Sequence, residues 1–284
     1  MNKVYEDTKF LMKKYGIAAN KKLGQNFLIN ENVIDTIANA SEISRDDLVI
    51  EIGPGLGTLT DKLLQKAGKV IAIELDERMI HILKERFFMY DHFEIINEDV
   101  LKVDLKELIR RNKEELGLKS AKIVANLPYY ITTPIIMKLL EEKLDIESIT
   151  VMIQKEVADR LTAIPGEKNS GAITYTVYYY ATSEEILTVS NDSFIPEPEV
   201  ESEVITLHLR EEPPIKIVDE TKFFILIKAA FMQRRKTFLN AVGNSGLSIT
   251  KEHMEKILQE LGIDIRIRGE ALTIEQFAKI AEKL

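Results

Sequence analysis

Residues 48–68 read LVIEIGPGLGTLTDKLLQKAG and contain three local patterns in succession. The apolar run at 48–52 is typical of a buried strand, and residues 58–68 have the apolar spacing of an amphipathic helix. Glycines at positions 53, 55 and 57 lie between the two and permit a tight turn in which a ligand can approach bare backbone. The segment therefore predicts a strand, a glycine turn and a helix, with the turn at the carboxyl edge of a sheet, where open α/β folds bind ligands.

The same alternation of strand and helix continues beyond this segment. Further β-rich runs lie at residues 69–74, 93–97, 122–126 and 148–153, and helical patterns separate them. Because the connection between two parallel strands is long and usually helical, this order predicts a parallel sheet with helices on both faces. We therefore expect the larger part of the chain to have an α/β fold.

Pro213-Pro214 marks a change in the character of the chain, because the residues after it are mostly helical in pattern. We therefore predict two domains: an α/β domain with a basic N-terminal extension at residues 1–210, and a small helical domain at residues 211–284. The segment GAITYTVYYYAT (171–182) stays open between strand and buried helix. Its Thr, Tyr and Val residues favour a strand, but a buried helix can have the same composition.

The composition is that of an ordinary globular protein, with 45% hydrophobic and 30% charged residues among 284. No apolar run approaches the roughly 20 residues that cross a bilayer, and the first ten residues lack the apolar segment of a signal peptide. We therefore expect a cytoplasmic protein with no membrane partner. Cysteine is absent and four histidines are scattered along the chain, so disulfides and zinc–thiolate sites are excluded and no metal site is expected.

The formal net charge of −8 disfavours a nucleic-acid partner on average, because Lys and Arg are the residues that bind phosphate. The charge is unevenly distributed, however. Residues 213–284 contain 12 Lys and Arg against 9 Asp and Glu, and residues 1–22 contain six Lys against Glu6 and Asp7. Both ends of the chain are thus basic. This pattern is compatible with a protein that binds a polyanion through its ends, although solvated helix faces give the same counts.

Acidic residues follow the ends of the next two predicted strands. Glu74 ends the second strand, where a carboxylate can accept hydrogen bonds from both ribose hydroxyls. Asp99 ends the third strand, where it can accept a hydrogen bond from the exocyclic amine of adenine. A single acidic residue at such a position is more often a helix cap. A glycine turn and two acidic residues at three successive strand ends nevertheless indicate a nucleoside-containing cofactor.

The spacing of the glycines distinguishes between dinucleotide cofactors and other nucleoside-containing cofactors. It is G-x-G-x-G, whereas dinucleotide-binding folds carry G-x-G-x-x-G, which disfavours the alternative of an NAD-dependent oxidoreductase. The order of glycine turn, Glu74 and Asp99 resembles that of methyltransferases that use S-adenosylmethionine. The sulfonium of this cofactor is a cation, and an acidic pocket suits it better than it suits the phosphates of NAD.

The tetrapeptide Asn126-Leu127-Pro128-Tyr129 ends the fourth strand and resembles the N-[LI]-P-[YF] motif of methyltransferases that act on exocyclic amino groups. The side-chain oxygen of Asn126 and the carbonyl of Leu127 or Pro128 can accept the two amine hydrogens of an adenine. Pro128 restrains Leu127 to an extended conformation, which keeps that carbonyl oriented. Tyr129 would stack on the base. We expect direct in-line methyl transfer, catalysed by positioning and electrostatics.

The chain as a whole resembles the KsgA family of small-subunit ribosomal RNA adenine N6,N6-dimethyltransferases. The resemblance is carried by KKLGQNFL (21–28), EIGPGLGTLT (51–60), IELD (73–76), NEDVL (97–101), NLPYYITTPI (126–135), QKEVADRL (154–161), SFIPEPEVESEV (193–204) and FMQRRKT (231–237). It implies a Rossmann-like S-adenosylmethionine-dependent methyltransferase domain with a second, smaller helical domain. It also favours a helix for residues 171–182, against propensity.

The resemblance further implies roles for individual residues. Those that would surround S-adenosylmethionine are Asn26, Leu28, Gly53, Gly55, Glu74, Asp99 and Asn126. Phe194 would form a second aromatic face for the target adenine, opposite Tyr129. The implied reaction is dimethylation of N6 on two adjacent adenosines in the 3′-terminal hairpin loop of 16S rRNA, within an immature 30S subunit. We expect the enzyme to be a monomer.

Basic residues would supply the RNA contacts. Arg234, Arg235 and Lys236 form the densest basic cluster in the chain, and Lys21 and Lys22 are the other candidates for contact with phosphate. A solvated helix end would give the same cluster.

One position departs from the family pattern, and two alternatives stay open. Glu199 precedes Val200 where the family usually has a basic residue, which weakens the expected RNA contact of that loop. The nearest alternative function is a 23S rRNA adenine N6-methyltransferase of the macrolide-resistance type. A ribosome assembly factor that binds immature particles is the other, and it is compatible with an enzyme.

Overall fold

The computed structural model describes residues 3–20, 23–233, 235–243, 245 and 249–284. The chain divides into two compact units. The first comprises Met1–Ala158 and Ser183–Leu209, and the second comprises Asp159–Thr182 and Arg210–Leu284. The last stretch of the second unit begins next to the predicted boundary at residue 211. The second unit also includes residues 159–182, which the sequence prediction placed in the first domain.

The strands found within the described residues are β1 (Phe27–Leu28), β2 (Asp47–Ile52), β3 (Lys69–Glu74), β4 (Phe93–Asn97), β5 (Ser120–Asn126), β6 (Ser148–Gln154), β7 (Ala181–Val189), β8 (Phe194–Ile195) and β9 (Ser202–Leu209). The five strands predicted between residues 48 and 153 are confirmed as β2 to β6. Their ends differ from the prediction by two residues at most.

The helices found within the described residues are α1 (Lys3–Lys14), α2 (Glu31–Ala40), α3 (Thr58–Lys66), α4 (Glu77–Arg86), α5 (Leu105–Leu116), α6 (Thr132–Glu141), α7 (Lys155–Thr162), α8 (Ala172–Tyr180), α9 (Glu220–Phe231), α10 (Phe238–Gly243), α11 (Lys251–Glu260) and α12 (Ile274–Glu282). The helix predicted after the glycine turn is confirmed as α3. In this described part of the chain, no helix is both long and apolar enough to cross a membrane.

The main sheet of the first unit has the strand order β4-β3-β2-β5-β6-β9-β7. The first five strands of this order, β4-β3-β2-β5-β6, pair in parallel, which confirms the predicted parallel sheet. Strand β9 is antiparallel to β6. The central strand β2 is buried along its whole length, which explains its nearly continuous apolar sequence. Since β2, β3 and β5 are parallel neighbours, their carboxyl ends meet at one edge of the sheet.

A second, two-stranded ladder joins β1 to β8 in the same unit. Phe27 lies opposite Ile195, and Leu28 lies opposite Phe194. Leu28 and Phe194 are 3% and 2% exposed, and both belong to the core that α2 and α3 form with the main sheet. The ladder therefore anchors the chain before α2 to the core of the first unit.

The second unit has a core of its own that is rich in aromatic residues. Tyr175 of α8 is fully buried, its ring centroid lies 5.0 Å from that of Phe277, and its hydroxyl donates to the carbonyl of Leu272. Tyr179 of the same helix is buried in this core as well. These contacts explain why residues with strand propensity form a helix, as the family resemblance implied. They also explain why residues 159–182 belong to the second unit.

Gly57 precedes α3 with a left-handed φ of 80°, and a Cβ added there would lie 2.6 Å from Cε2 of Phe87 and 2.8 Å from Cδ2 of Leu83. We expect Gly57→Ala to lower the free energy of unfolding by about 3 kcal/mol, because it adds overpacking to left-handed strain. Gly117→Ala is the matched control. Gly117 has a φ of 66° and its added Cβ would meet nothing within 4 Å, so strain alone, about 1 kcal/mol, is expected. Urea denaturation measures both losses, and equal losses would contradict the role of the steric contact.

Candidate active site

A cavity of about 330 Å³ lies at the carboxyl edge of the sheet in the first unit. The predicted cofactor residues all line it, namely Asn26, Leu28, Gly53, Gly55, Glu74, Asp99 and Asn126. Leu127, Pro128 and Tyr129 line the same cavity. The structure thus brings the predicted cofactor residues and the predicted substrate tetrapeptide into one site.

Backbone hydrogen bonds fix the glycine turn after β2. The amide of Gly53 donates to the carbonyl of Ile73 in β3 (3.0 Å), and the amide of Gly55 donates to Oε2 of Glu74 (3.2 Å). Both glycines have left-handed φ values, 67° and 56°, which other residues rarely adopt. The turn is therefore tied to the neighbouring strand, and two of its residues present only backbone to the cavity.

Glu74 links this turn to the start of α4. Its side chain is almost fully buried, and its Oε1 accepts a hydrogen bond from the amide of Asp76 (2.8 Å) while Oε2 accepts from Gly55. Burial raises the pKa of the Glu74 carboxyl above its ordinary value. Each carboxylate oxygen can accept more than one hydrogen bond, so both can still accept from hydroxyl groups in the cavity. This geometry suits the predicted contact with ribose.

Glu51 in β2 is a second buried carboxyl that lines the cavity. It is 1% exposed, and its Oε2 accepts a hydrogen bond from Oγ1 of Thr60 (2.6 Å). Burial raises the pKa of Glu51 to about 8; the hydrogen bond from Thr60 opposes this rise and the charge of Glu74 adds to it. The site therefore contains two carboxyl groups with raised pKa values. A cationic ligand would favour the ionised form of both.

Asp99 contributes to the cavity from the segment after β4 and is partly buried. Its Oδ1 accepts a hydrogen bond from the amide of Leu101 (3.0 Å), so part of the side chain has the local capping role that is common for acidic residues. Oδ2 has no hydrogen-bond partner among the described residues. Asp99 can therefore stabilise its own turn with one oxygen and accept from a ligand with the other.

The segment before β1 is held against the same edge of the sheet by Gln25. Nε2 of Gln25 donates to Oδ2 of Asp76 (2.9 Å), and its Oε1 accepts from the amide of Asn20 (2.9 Å). The Arg78 guanidinium hydrogen-bonds Asp76 and lowers the pKa of that carboxyl, which keeps it ionised as an acceptor. These bonds position the segment that carries Asn26.

Asn126 ends β5, and the segment before β1 orients its side chain. Nδ2 of Asn126 donates to the backbone carbonyl of Asn26 (3.4 Å). Because this bond uses the amide nitrogen, Oδ1 is left as an acceptor, and it has no donor in the described part of the chain. Asn126 thus presents an acceptor at the cavity, as the predicted role requires.

The two candidate carbonyls of the tetrapeptide differ in their hydrogen bonds. The carbonyl of Pro128 accepts from the amide of Ile131 (3.2 Å) and from Oγ1 of Thr132 (3.1 Å), so the turn before α6 uses both of its lone pairs. The carbonyl of Leu127 has no hydrogen-bond partner among the residues described. Of the two, Leu127 therefore offers the free backbone acceptor next to Asn126.

Tyr129 lines the cavity and is partly buried. Its hydroxyl shares a hydrogen bond of 2.7 Å with Oγ of Ser202, a fully buried residue at the start of β9. Burial raises the pKa of Tyr129, so the hydroxyl stays protonated at neutral pH. The bond to Ser202 fixes the far end of the ring.

Phe194 lies outside the cavity. Its ring is enclosed in the core beside Leu28, with which it pairs across the ladder of β1 and β8. The second aromatic face predicted opposite Tyr129 is therefore not provided by Phe194 in this structure, because apolar neighbours already cover its ring. Another aromatic residue, Tyr130, does line the cavity and is 56% exposed.

Of the predicted RNA-binding residues, none is among those that line the cavity in the described part of the chain. Lys21, Lys22 and Arg234 lie outside the described residues. Arg235 and Lys236 belong to the second unit and are exposed, which leaves their charges accessible to phosphate groups.

Three residues that shape the site were not predicted as site residues: Gln25, Thr60 and Ser202. Each acts through a side-chain hydrogen bond, to a partner 51, 9 and 73 positions away respectively. All three lie within segments that carry the family resemblance. That membership is the one sequence signal that pointed to them, because their residue types alone are unremarkable.

Glu51→Gln tests the raised pKa of this buried carboxyl. Glu51 loses its proton near pH 4.5 in the unfolded chain and near pH 8 in the folded protein. Between these values the folded state binds more protons, so this group lowers wild-type stability as pH rises. We expect the free energy of unfolding of the variant, relative to wild type, to increase by up to about 1.4 kcal/mol per pH unit in this window and to level off on either side. Urea denaturation across the window measures it, and a difference independent of pH would contradict it.

Comparison with known proteins agrees with this geometry. A family model described as ribosomal RNA adenine dimethylase matches residues 16–284. The protein of Lachnoclostridium phytofermentans named ribosomal RNA small subunit methyltransferase A is 48% identical to this chain, over 96% of this chain and 93% of its own.

Two solved structures share the fold over most of the chain. A dimethyladenosine transferase from Plasmodium falciparum has a TM-score of 0.72 and 28% identity, covering 89% of this chain and 95% of its own. The 23S rRNA methyltransferase ErmE has a TM-score of 0.67 and 25% identity, covering 91% of this chain and 99% of its own. The predicted Rossmann-like methyltransferase fold is thus confirmed. Because the family model spans nearly the whole sequence and the bacterial relative aligns along its length, the chain belongs to the ribosomal RNA adenine dimethylase family.

Proposed function

We propose that the protein uses S-adenosylmethionine to dimethylate N6 of adenosines in ribosomal RNA. One observation carries the proposal. A single cavity is lined both by carboxylates suited to an adenosine-containing cofactor, Glu74 and Asp99, and by the tetrapeptide Asn126–Tyr129, which is suited to an exocyclic amine. Membership of the ribosomal RNA adenine dimethylase family supports the same reaction.

The residues of the cavity fit S-adenosylmethionine chemically. Glu51 and Glu74 give the cavity acidic groups, whose ionised forms a sulfonium and an ammonium would stabilise. Glu74 would hold the ribose hydroxyls and Asp99 the adenine amine. Gly55 has a left-handed φ of 56° and presents bare backbone to the cavity, so a cofactor can approach it closely. When bound, S-adenosylmethionine supplies an electrophilic methyl group.

Asn126 and Leu127 would prepare the target amine. Oδ1 of Asn126 and the carbonyl of Leu127 would each accept one N–H of the adenine N6 group. Two acceptors on one side favour a tetrahedral nitrogen, whose lone pair is then available for attack and no longer delocalised into the ring. After the nitrogen gains a methyl group it carries a positive charge and loses a proton to water, so the site needs no strong base. One N–H remains after the first transfer, and a single acceptor can orient it for the second.

Tyr129 would hold the target base. Its ring lines the cavity beside Asn126, and the hydrogen bond to Ser202 fixes its position before the substrate arrives. An unpaired base can stack on such a ring, as in other enzymes that act on nucleobases extracted from their helix. Catalysis would therefore come from positioning two reactants in one cavity.

We propose the small ribosomal subunit as the substrate, with two adjacent adenosines in the 3′-terminal hairpin loop of 16S rRNA as the target, within an immature 30S particle. Identity supports this choice over a 23S target, because the relative named as a small-subunit enzyme is 48% identical and the 23S methyltransferase ErmE is 25% identical. Arg235 and Lys236 of the second unit would contact RNA phosphates. We place the protein in the cytoplasm, as a monomer.

Methylation of small subunits that lack the modification tests the function. With S-adenosylmethionine and wild-type protein, mass spectrometry should find N6,N6-dimethyladenosine at two adjacent positions of 16S rRNA and none in 23S rRNA. Asn126→Ala removes one amine acceptor and should reduce turnover by about 100-fold or more, with S-adenosylmethionine still bound. Asn32→Ala, an exposed residue of α2, is the matched control and should have wild-type activity. Product in 23S rRNA would favour the alternative target, and full turnover by the Asn126 variant would contradict the role of its side chain.

Glu74→Ala tests the cofactor half of the site. It removes acceptors for two ribose hydroxyls, so we expect the affinity for S-adenosylmethionine to fall by about 2 kcal/mol, roughly 30-fold, as measured by calorimetry. The hydrogen bonds from the amides of Gly55 and Asp76 are lost as well, and we expect the free energy of unfolding to fall by about 2 kcal/mol. Glu77→Ala, at an exposed residue of α4 that does not line the cavity, removes the same charge and should leave the affinity for S-adenosylmethionine unchanged. Unchanged affinity in the Glu74 variant would refute the ribose contact.

A further inference from the structure

Tyr130 has an exposed aromatic ring at the cavity. Of the large apolar side chains that line the cavity in the described residues, only Leu75 and Tyr130 are at least half exposed, at 50% and 56%. Leu75 directly follows Glu74, on the side of the proposed cofactor. Tyr130 directly follows the tetrapeptide, on the side of the proposed substrate. An exposed ring at this place is available to a ligand without any rearrangement of the core.

A short, well-bonded turn holds Tyr130 in place. Tyr129–Ile131 form one turn of 3₁₀ helix, closed by the hydrogen bond from the amide of Ile131 to the carbonyl of Pro128. The Tyr130 ring also lies next to Gly24, where an added Cβ would be 3.3 Å from Cδ1 of the ring and 3.8 Å from Cε1. The ring is thus positioned by the protein before any ligand binds.

The rings of Tyr129 and Tyr130 differ from those of Tyr175 and Tyr179 in their contacts with other aromatic rings. Tyr175 and Tyr179 pack edge-on against neighbouring aromatic rings in the core of the second unit. Within the described residues, no aromatic ring contacts either Tyr129 or Tyr130. Tyr130 is in addition 56% exposed, so its ring is accessible from outside the protein.

The two rings leave the turn in different directions. Successive residues of a 3₁₀ helix are related by a rotation of about 120°. Accordingly, the hydroxyl of Tyr129 reaches Ser202 in β9, whereas the ring of Tyr130 lies against Gly24 in the segment before β1. A base that stacks on Tyr129 therefore leaves the ring of Tyr130 for a different base.

We propose that Tyr130 is the stacking platform for the nucleobase adjacent to the one being methylated. The inference rests on the proposed function, because it takes the substrate to be unpaired RNA with its target base in the cavity. Aromatic side chains stack on unpaired bases of any identity. Tyr130 would thus fix which nucleotide of the loop enters the cavity, without reading the sequence of its neighbour.

Kinetics with small subunits separate stacking from simple packing. We expect Tyr130→Ala to raise KM roughly tenfold with kcat within a few-fold of wild type, which is the effect of losing one stacked base. Tyr130→Leu keeps apolar volume but lacks a π face and should behave like the Ala variant, whereas Tyr130→Phe should restore the wild-type KM. Phe88→Ala removes an aromatic ring that is 75% exposed and does not line the cavity, and it serves as the control with unchanged KM.

A binding measurement keeps this inference separate from the proposed function. An RNA hairpin with 2-aminopurine beside the target adenine should lose fluorescence on wild-type protein and on Tyr130→Phe, but not on Tyr130→Ala or Tyr130→Leu. This readout needs no methyl transfer. If the protein quenches 2-aminopurine fluorescence but does not methylate the RNA, the proposed function is contradicted and the stacking role of Tyr130 is not. Equal quenching by all variants, a Leu variant with wild-type KM, or loss of S-adenosylmethionine affinity in the Ala variant would each overturn the role of Tyr130.

Discussion

The hydrogen bond between the amide of Gly55 and the buried carboxylate of Glu74 is the contact from which the rest of the site is organised. It joins the turn after β2 to the end of β3. The other oxygen of Glu74 accepts from Asp76 at the start of α4, and Asp76 in turn accepts from Gln25. The segment fixed by Gln25 provides the carbonyl that orients Asn126. One continuous set of bonds therefore runs from the glycine turn to the residue proposed to hold the substrate amine, entirely within the first unit.

The electrostatics of the cavity follow from the burial of its carboxyl groups. Two carboxyl groups, Glu51 and Glu74, lie in a place where ionisation is unfavourable, and the pKa of each is raised. A cation that enters the cavity supplies the missing stabilisation, because opposite charge favours the ionised carboxylate. A neutral molecule of the same shape would not stabilise the ionised carboxylates in this way. The acidic character of this part of the chain, which on average disfavours a polyanion partner, thus suits a small cationic ligand, while the basic residues lie at the two ends of the sequence.

The sequence was sufficient for features that are encoded locally and insufficient for those that depend on distant contacts. The strands of the parallel sheet are continuous apolar runs, and the residues at their carboxyl ends share an edge by necessity, so the residues that line the cavity could be predicted. Phe194 could not be placed, because its burial depends on pairing with Leu28 across the chain. Residues 159–182 have strand-like composition in part, and their place in the second unit depends on the aromatic core there. The bond that fixes Tyr129 likewise depends on Ser202, which is 73 positions away.

The ladder of β1 and β8 joins two hydrophobic cores of the first unit. Phe27 pairs with Ile195, and its ring would lie 3.5 Å from a Cβ added at Gly55. Leu28 and Phe194 are buried in the core with α2 and α3, whereas Phe27 is buried in a separate core with Leu56 of the glycine turn. The proline-containing loop after β8 therefore starts from a strand that is paired, through Phe27, with the chain beside the glycine turn.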